Sequence, residues 1–495
     1  MTSSVMRTSV DGAHGQSLAS ASDSLDSTLL DKAVNGLRRK RPDMSAAGPL
    51  AAWQLAVLYG LGIGAPFAAG LVMLGQADWL AAALTLPFAV IVLLRFAAVF
   101  YLLFPAPEDV SVTSPGSVDA TLPAYSVLIP VYQEAAVAPA LVQAIGALDY
   151  PPDKLDIIFI TEQNDELTRA ALVHAGLRAH MRILTVPTGL PKTKPRACNY
   201  ALQFATGDYV VVYDAEDVPE PAQLRKAAAR FASSGPELVC LQARLSIYNP
   251  SDSFLTKQFT LEYAVLFEAI LPALERLGLP ILLGGTSNHF RRSALASVGA
   301  WDAFNVTEDA DLGVRLARLG YRCAMLDSDT WEEAPRTARV WMGQRTRWLK
   351  GWIQTYLVHM RAPQTLLSDL GAWRFCGVQV MLAGMILSAL IHPWFYAAAI
   401  VCLFTGAELI PSSGFLGIIC WFNFAAGHLV GILLGVISAW RSQGRIPLAA
   451  AIDLPVYWLA ISVASYRAIW DLYRRPFYWQ KTPHSARRVT ISSTH

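Results

Sequence analysis

The chain has 495 residues, too many for one small domain, and with 54% hydrophobic and 16% charged residues it is too apolar for an ordinary soluble protein. That composition points to a chain partly in lipid, and forty Lys and Arg against 38 Asp and Glu leave a net charge of +2, which argues against nucleic acid or another polyanion as the main partner. The six cysteines form no Cys-x-x-Cys pair and have no partnering His spacing, so neither a zinc site nor a disulfide framework is expected.

Residues 1–46 are rich in Ser, Ala, Asp and Gly and end in Arg38, Arg39, Lys40 and Arg41. They read as a disordered cytosolic tail, and no apolar stretch of the kind a secretory signal needs precedes Leu50. Residues 47–106 read as a transmembrane hairpin. Trp53 to Gly75 carries no charge and Trp79 to Phe104 only Arg95, and each run is long enough to cross roughly 30 Å of hydrocarbon. The basic cluster ahead of the hairpin places its start inside and returns the chain to the cytosol. Residues 107–336 change character: strands such as Tyr125 to Pro130, Asp156 to Thr161 and Asp208 to Tyr213 alternate with helical stretches, an α/β pattern with a mainly parallel sheet. Residues 337–370 read as amphipathic interface helices, 371–472 as about four further spans, and 473–495 as a basic cytosolic tail, for about six spans in all. The His392-Pro393 pair serves either as a break between two spans or as a kink within one.

In open α/β sheets ligands bind beyond the carboxyl ends of the strands. There the sequence places Pro130-Val-Tyr-Gln-Glu134, Glu162-Gln-Asn-Asp165 and Asp214-Ala-Glu-Asp217, with Lys192, Lys194 and Arg196 between the last two. Oxygen ligands of this kind suit Mg²⁺ or Mn²⁺ carrying a diphosphate, and the lysines would meet its remaining charge.

Asp214-Ala-Glu-Asp217, Thr307-Glu-Asp309 and Gln344-Arg-Thr-Arg-Trp348, in that order and followed by apolar spans, resemble the signature of processive family 2 glycosyltransferases, the cellulose, chitin and hyaluronan synthases. The resemblance implies a GT-A-type, Rossmann-like cytosolic domain inserted between transmembrane helices. It also implies an inverting, metal-dependent enzyme that uses a UDP-sugar to elongate a β-linked glycan across a bacterial inner membrane, with both termini cytosolic and periplasmic or outer-membrane export subunits as further partners. Transfer of one sugar to a polyprenyl-phosphate or lipid acceptor is the alternative.

Residue by residue, the resemblance assigns the metal to Asp214, Glu216 and Asp217, although the usual Asp-x-Asp is here Asp214-Ala-Glu216. Glu162 and Asp165 fall at the uridine motif, and Glu134, Lys192, Lys194, Arg196, Asp214, Gln344 and Arg347 complete the donor set. Asp309 takes the role of general base within Thr307-Glu308-Asp309, at the start of a helix expected from Asp311 to Leu319. Glu308 and Asp311 should raise its pKa by like charge. Trp348 would stack on the acceptor sugar, and the loop carrying Gly285, Asn288 and His289 would contact the acceptor. Trp341 and Trp352 lie at offsets of seven before and four after Trp348 and read as interfacial anchors. Trp479 and Lys481 either close the donor pocket or belong to an aromatic belt, and Arg95 either snorkels or lines a sugar channel.

Overall fold

Strand β1 (Tyr125–Val131) lies at the centre of an eight-stranded sheet and pairs in parallel with β2 (Leu155–Glu162) on one side and β4 (Tyr209–Val212) on the other. The computed structural model describes residues 11–60, 64, 78–104, 122–406, 414–444, 448–479 and 481–482. With β3 (Met181–Val186), β5 (Val218–Pro219), β6 (Leu238–Ile247), β7 (Asn288–Arg291) and β8 (Arg322–Glu332) the sheet order is β3-β2-β1-β4-β7-β6-β8-β5. Strand β7 runs antiparallel to both neighbours, and the rest of the main body is parallel apart from the short edge strand β5. The central strands are nearly continuous apolar runs because both faces are covered. Leu128, Ile158 and Val210 pack into one core, and Val127, Ile157 and Val211 into the other. The chain leaves β1 toward β2 and β3 but returns on the opposite side at β4, so a crevice opens between the carboxyl ends of β1 and β4.

The N-terminal segment departs from its expected disorder. Helix α1 (Asp11–Lys40) packs on α2 (Lys194–Leu202), burying Ala33 and Leu37. Leu29, Leu30, Ala33 and Leu37 form a narrow apolar stripe at helical spacing, too sparse to stand out among the Ser and Asp around it. Polar side chains of α2 fix the contact: Asn199 donates to the Ala33 carbonyl at 2.9 Å, Gln203 to that of Leu29 at 2.9 Å, and the Tyr200 hydroxyl to Asp26 at 3.0 Å. The following residues stay on the domain, with the Ala46 amide donating to Asp302 at 2.5 Å and Arg361 holding the Ser45 and Gly48 carbonyls.

The apolar part of the chain contributes a bundle. Helix α3 (Phe254–Ala264) and α4 (Ala338–His359) join the sheet to α5 (Met385–Thr405), α6 (Gly414–Gln443) and α7 (Leu454–Arg474), and Asp78–Leu103, helix αN below, packs along α6. Among the described residues two helical stretches, Pro363–Thr405 and Gly414–Ser442, are long and apolar enough to cross a membrane, and Phe88–Leu103 is a shorter apolar one. The expected total of about six is therefore not reached. Much of the first expected span, residues 61–63 and 65–77, lies outside the described residues, as do 407–413 and the tail from 483. Among the described residues between 371 and 472 there are three long helices, for Pro393 continues inside α5 as a proline can where neighbouring helices support the backbone, which is the kink of the two readings of His392-Pro393. Helix α7 is less apolar, carrying Arg467, Asp471 and Arg474.

Candidate active site

A cavity of about 1060 Å³ begins at the β1/β4 crevice and continues between the helices of the bundle. Of the residues expected at the site, Glu134, Glu162, Lys192, Lys194, Asp214, Glu216, Gly285, Thr307, Glu308, Asp309, Gln344, Arg347, Trp348 and Lys481 all line it. Its polar end is built from strand-end loops. Lys194, in the first turn of α2, reaches across to Asp214 and donates to the Gly285 carbonyl at 2.7 Å. Burial pulls the Lys194 pKa down, but Asp214 and Glu308 more than offset it and hold the ammonium above its ordinary value. A Cβ on Gly285 would stand 3.3 Å from Asp309 Oδ2, so glycine lets this backbone pass close to that carboxylate.

Helix α8 (Glu308–Arg318) begins at the cavity wall with Glu308 and Asp309 in its first turn. Burial raises the Asp309 pKa, and burial together with the Asp309 charge pushes Glu308 up to about 7. The expected repulsion from Asp311 is absent, for Asp311 turns away into the core. It pairs with Arg315 at 2.8 Å and with His359 at 3.0 Å, and these hold its carboxyl below the ordinary value against the upward push of burial. Two residues apart on α8, and so on roughly opposite faces of the helix, one carboxylate faces the cavity and the other serves as a brace.

Asp217 is only 1% exposed and stands behind the cavity wall. Its Oδ2 accepts from the Asp214 amide at 2.7 Å and from the Thr286 hydroxyl, which positions Asp214. Its place as a cavity-facing metal ligand is thereby corrected, since the Asp214 turn folds its side chain back. Among the described residues no three His, Cys, Asp or Glu converge into a complete metal site. Asp214 and Glu216 alone face the cavity from this loop, joined by Glu332 at the end of β8, which the sequence reading missed. Burial and the charges of Asp217, Glu216 and Asp214 push the Glu332 carboxyl well up.

Four other expectations change. Asp165 caps the helix Glu166–His174, accepting from the Thr168 amide at 3.3 Å and from the Gln133 amide at 2.5 Å, and does not reach the cavity. Arg196 is fully buried and clasps both oxygens of Glu162, so this pair forms the floor beneath the donor loop and the guanidinium is not free for a ligand. His289 is fully buried within β7, bonded to the Tyr125 hydroxyl at 2.7 Å and to Gln223 at 3.1 Å, and Asn288 holds the Gly284 and Thr286 carbonyls; strand pairing with β4 and β6 turns both away from the cavity. Trp341 is not an interfacial anchor but a core residue, 1% exposed, its indole N–H donating to the Tyr457 hydroxyl at 3.1 Å. Trp352 faces the cavity.

Within Gln344-Arg-Thr-Arg-Trp348 the helical repeat divides the labour. Arg345 points away from the donor and makes a two-point ion pair with Glu262 of α3 at 2.6 and 2.7 Å, also reaching Tyr457 of α7. Trp348 faces the cavity, stacked against Tyr263 with ring centroids 6.4 Å apart and packed at 5.8 Å from Phe259. Arg347 carries the indole of Trp479 over its guanidinium at 5.0 Å. Trp479 belongs to the segment after α7, which is pinned at several points: Lys350 donates to the Tyr478 carbonyl at 2.7 Å, Phe477 packs edge-on against Phe304, and Lys481 pairs with Glu134 at 2.8 Å. Trp479 and Lys481 thereby lie beside Arg347 and Glu134 at the polar end of the cavity.

A mainly parallel sheet with charged loops at its switch point, lysine and carboxylates converging on one crevice, is a Rossmann-like arrangement in which ligands bind at that crevice. Residues 123–351, a little under half of the chain, match the family described as "Glycosyltransferase like family 2". It is similar to cellulose synthase 2 of Novacetimonas hansenii, 26% identical over 344 residues that make up 68% of this chain and 20% of that one. It is also similar to the β-monoglucosyldiacylglycerol synthase of Synechocystis sp., 30% identical over 244 residues, 48% of this chain and 50% of that one. The chain thus spans half or less of the length of these relatives. A solved mannosyltransferase from Pyrobaculum calidifontis, in complex with GDP-Man and Mn²⁺, shares the fold with a TM-score of 0.51 at 20% identity, covering 80% of this chain and 99% of that one.

Proposed function

We propose that the protein is an inverting membrane glycosyltransferase that takes a sugar from a UDP-sugar and elongates a β-linked glycan, which leaves between its own helices across a bacterial inner membrane. The observation that carries this reading is the continuity of one cavity from Lys194, Asp214 and Asp309, past Trp348, to Ser388, His392 and Asn423 in the bundle. A single-sugar transferase needs room for one acceptor, whereas a polymerase needs a path for the product.

In this reading the acceptor hydroxyl is deprotonated by Asp309 as its oxygen bonds to the anomeric carbon. The bond from that carbon to the diphosphate oxygen breaks on the opposite face, and UDP departs toward Lys194 and Arg347. Asp214 and Glu216 fit a divalent cation in the way such ions are usually held, by one or two carboxylates with the substrate's phosphate oxygens completing the shell. Mg²⁺ or Mn²⁺ bound there would neutralise charge on the leaving diphosphate. Trp348 presents a flat apolar face to the acceptor ring.

Purified protein incubated with a panel of nucleotide sugars and Mg²⁺ or Mn²⁺ tests the whole reading through UDP release and product size. The expected result is release from a UDP-sugar, a polymeric product and loss of both in excess EDTA. A product of one added sugar on a lipid would replace polymerisation with the glycolipid alternative, and full activity in EDTA would remove the metal.

A further inference from the structure

Arg95 is placed where a charge is hardest to keep. It and Asp78 are the charged residues of αN, and it stands eight residues before the helix end at Leu103, about 12 Å along the axis. Its guanidinium lies over the Trp458 ring of α7 at 5.8 Å. With the described residues it forms no ion pair and no hydrogen bond. Three other arginines around the bundle are matched: Arg345 has Glu262, Arg475 has Asp471, and Arg441 donates to the Leu102 carbonyl at 2.8 Å. A charged side chain within an apolar helix of this kind is costly to keep in lipid, and such residues typically line a substrate path.

The cavity wall around Arg95 is polar but carries no acidic side chain among the described residues that line it there. His428 Nδ1–H donates to the Phe424 carbonyl at 2.7 Å, which leaves its Nε2 to accept from the Tyr396 hydroxyl at 3.1 Å. The same hydroxyl oxygen accepts from His392 Nε2–H at 3.0 Å. His428 is complete as a neutral group, His392 is held through its Nε2–H, and neither imidazole supplies a negative charge to Arg95. Gly431 leaves the space, since a Cβ there would sit 3.1 Å from Trp458 and 3.7 Å from an Arg95 terminal nitrogen.

We propose that Arg95 is the anion-recognising residue of the acceptor path, and that the growing glycan is acidic, its uronate carboxylates pairing with the guanidinium as the chain passes. This rests on the polymerase reading above and names the class of its product. A glycan fits better than the phosphate of a lipid acceptor because polar lining continues beyond Arg95. Ser388, His392, His428 and Asn423 all face the cavity, and Asn423 donates to the Thr85 carbonyl at 2.7 Å, ten residues further along αN. An apolar tail has no use for such a lining.

The test measures binding of two β-1,4-linked tetrasaccharides, one of glucose and one of glucuronic acid, to purified wild type, Arg95→Gln and Arg95→Lys, with prenyl phosphate as a third probe and UDP affinity as the control for folding. Wild type should bind the acidic tetrasaccharide about tenfold or more tighter than the neutral one, the yield of one charge-assisted contact. Arg95→Gln should erase that preference, Arg95→Lys should keep most of it, and UDP should bind all three alike. Equal binding of both sugars by wild type, or a preference that survives Arg95→Gln, overturns the proposal. Arg95-dependent binding of prenyl phosphate but of neither sugar also overturns it, moving the anion to a lipid headgroup. UDP release from UDP-sugars is followed in parallel: its absence sinks the glycosyltransferase mechanism, whereas turnover without acidic preference sinks only this inference.

Discussion

The two ends of the cavity are built on different physics. At the donor end the cations already have partners, Lys194 with Asp214, Lys481 with Glu134, and Lys192 with Asn164 and the Tyr132 ring. Past Trp348 the wall combines aromatic rings with uncharged polar side chains such as Ser388 and Asn423, and among the described residues Arg95 has no ion pair. Paired charges hold a polar pocket in shape without ligand and exchange partners when a diphosphate arrives, which suits a small substrate that must be oriented. Flat aromatic faces have little directional demand, which suits a product that must slide.

The sharpest way to break this comparison is at the junction, where the reaction occurs. Asp309→Asn should lower turnover by roughly a hundredfold to ten-thousandfold, the usual cost of losing a general base, while UDP affinity stays within a few fold. Normal turnover in that variant removes Asp309 from the chemistry. Trp348→Ala comes next. Loss of a buried aromatic platform removes about 2 kcal/mol or more, here from the acceptor side alone. Radiolabelled polymer should fall at least tenfold while UDP still binds and donor hydrolysis persists. If polymer and UDP binding fall together in a protein that elutes like wild type, the residue serves the donor end and the division is misplaced. A smaller effect is expected from Lys481→Ala, which opens the segment after α7: a rise of about two- to tenfold in the KM for donor, the size of one charge-assisted contact, with polymer length unchanged. Shortened polymer at unchanged donor KM would place Lys481 on the product path.

These contrasts also explain what the sequence could reveal. Strand-end motifs were legible because the donor end needs fixed residue types at fixed positions, and Lys194, Asp214, Glu308, Asp309 and Trp348 meet in space as their order along the chain implies. What sequence could not resolve was direction. Asp217, Asp311, Asp165 and Arg196 are as charged as their neighbours, yet each is turned into a cap or a buried pair by the helix or turn that carries it. Residues 29–37 of α1 failed for a different reason, since four apolar residues in a polar setting form a stripe only once α2 is there to receive them. Glu332 lacks a motif altogether and reaches the cavity because β8 runs beside β6 to that edge.

The smallest expected effect is a shift in pH dependence, and it bears on whether the donor end tunes the base. Glu308 has its pKa raised from 4.5 to about 7 by burial and by the Asp309 charge, and burial raises Asp309 as well. A raised carboxyl pKa means that the proton is held at lower pH and lost as pH climbs. The base form of Asp309 therefore accumulates as pH rises, and an ascending limb of kcat/KM governed by Glu308 should have its midpoint near pH 7 instead of in the ordinary carboxylate range. The same shift makes these groups stabilise the fold at low pH and progressively less from about 4.5 up toward 7, because the unfolded chain gives up protons that the folded one keeps. Glu308→Gln removes both the group that titrates near 7 and its negative charge beside Asp309, so the ascending limb should move to lower pH with the plateau rate reduced by only a few fold. A limb that stays in place assigns the titration to another group. A profile flat from about pH 5 to 8 means that Asp309 is already ionised throughout, and that Lys194 and Arg347, rather than burial, set the charge of the base.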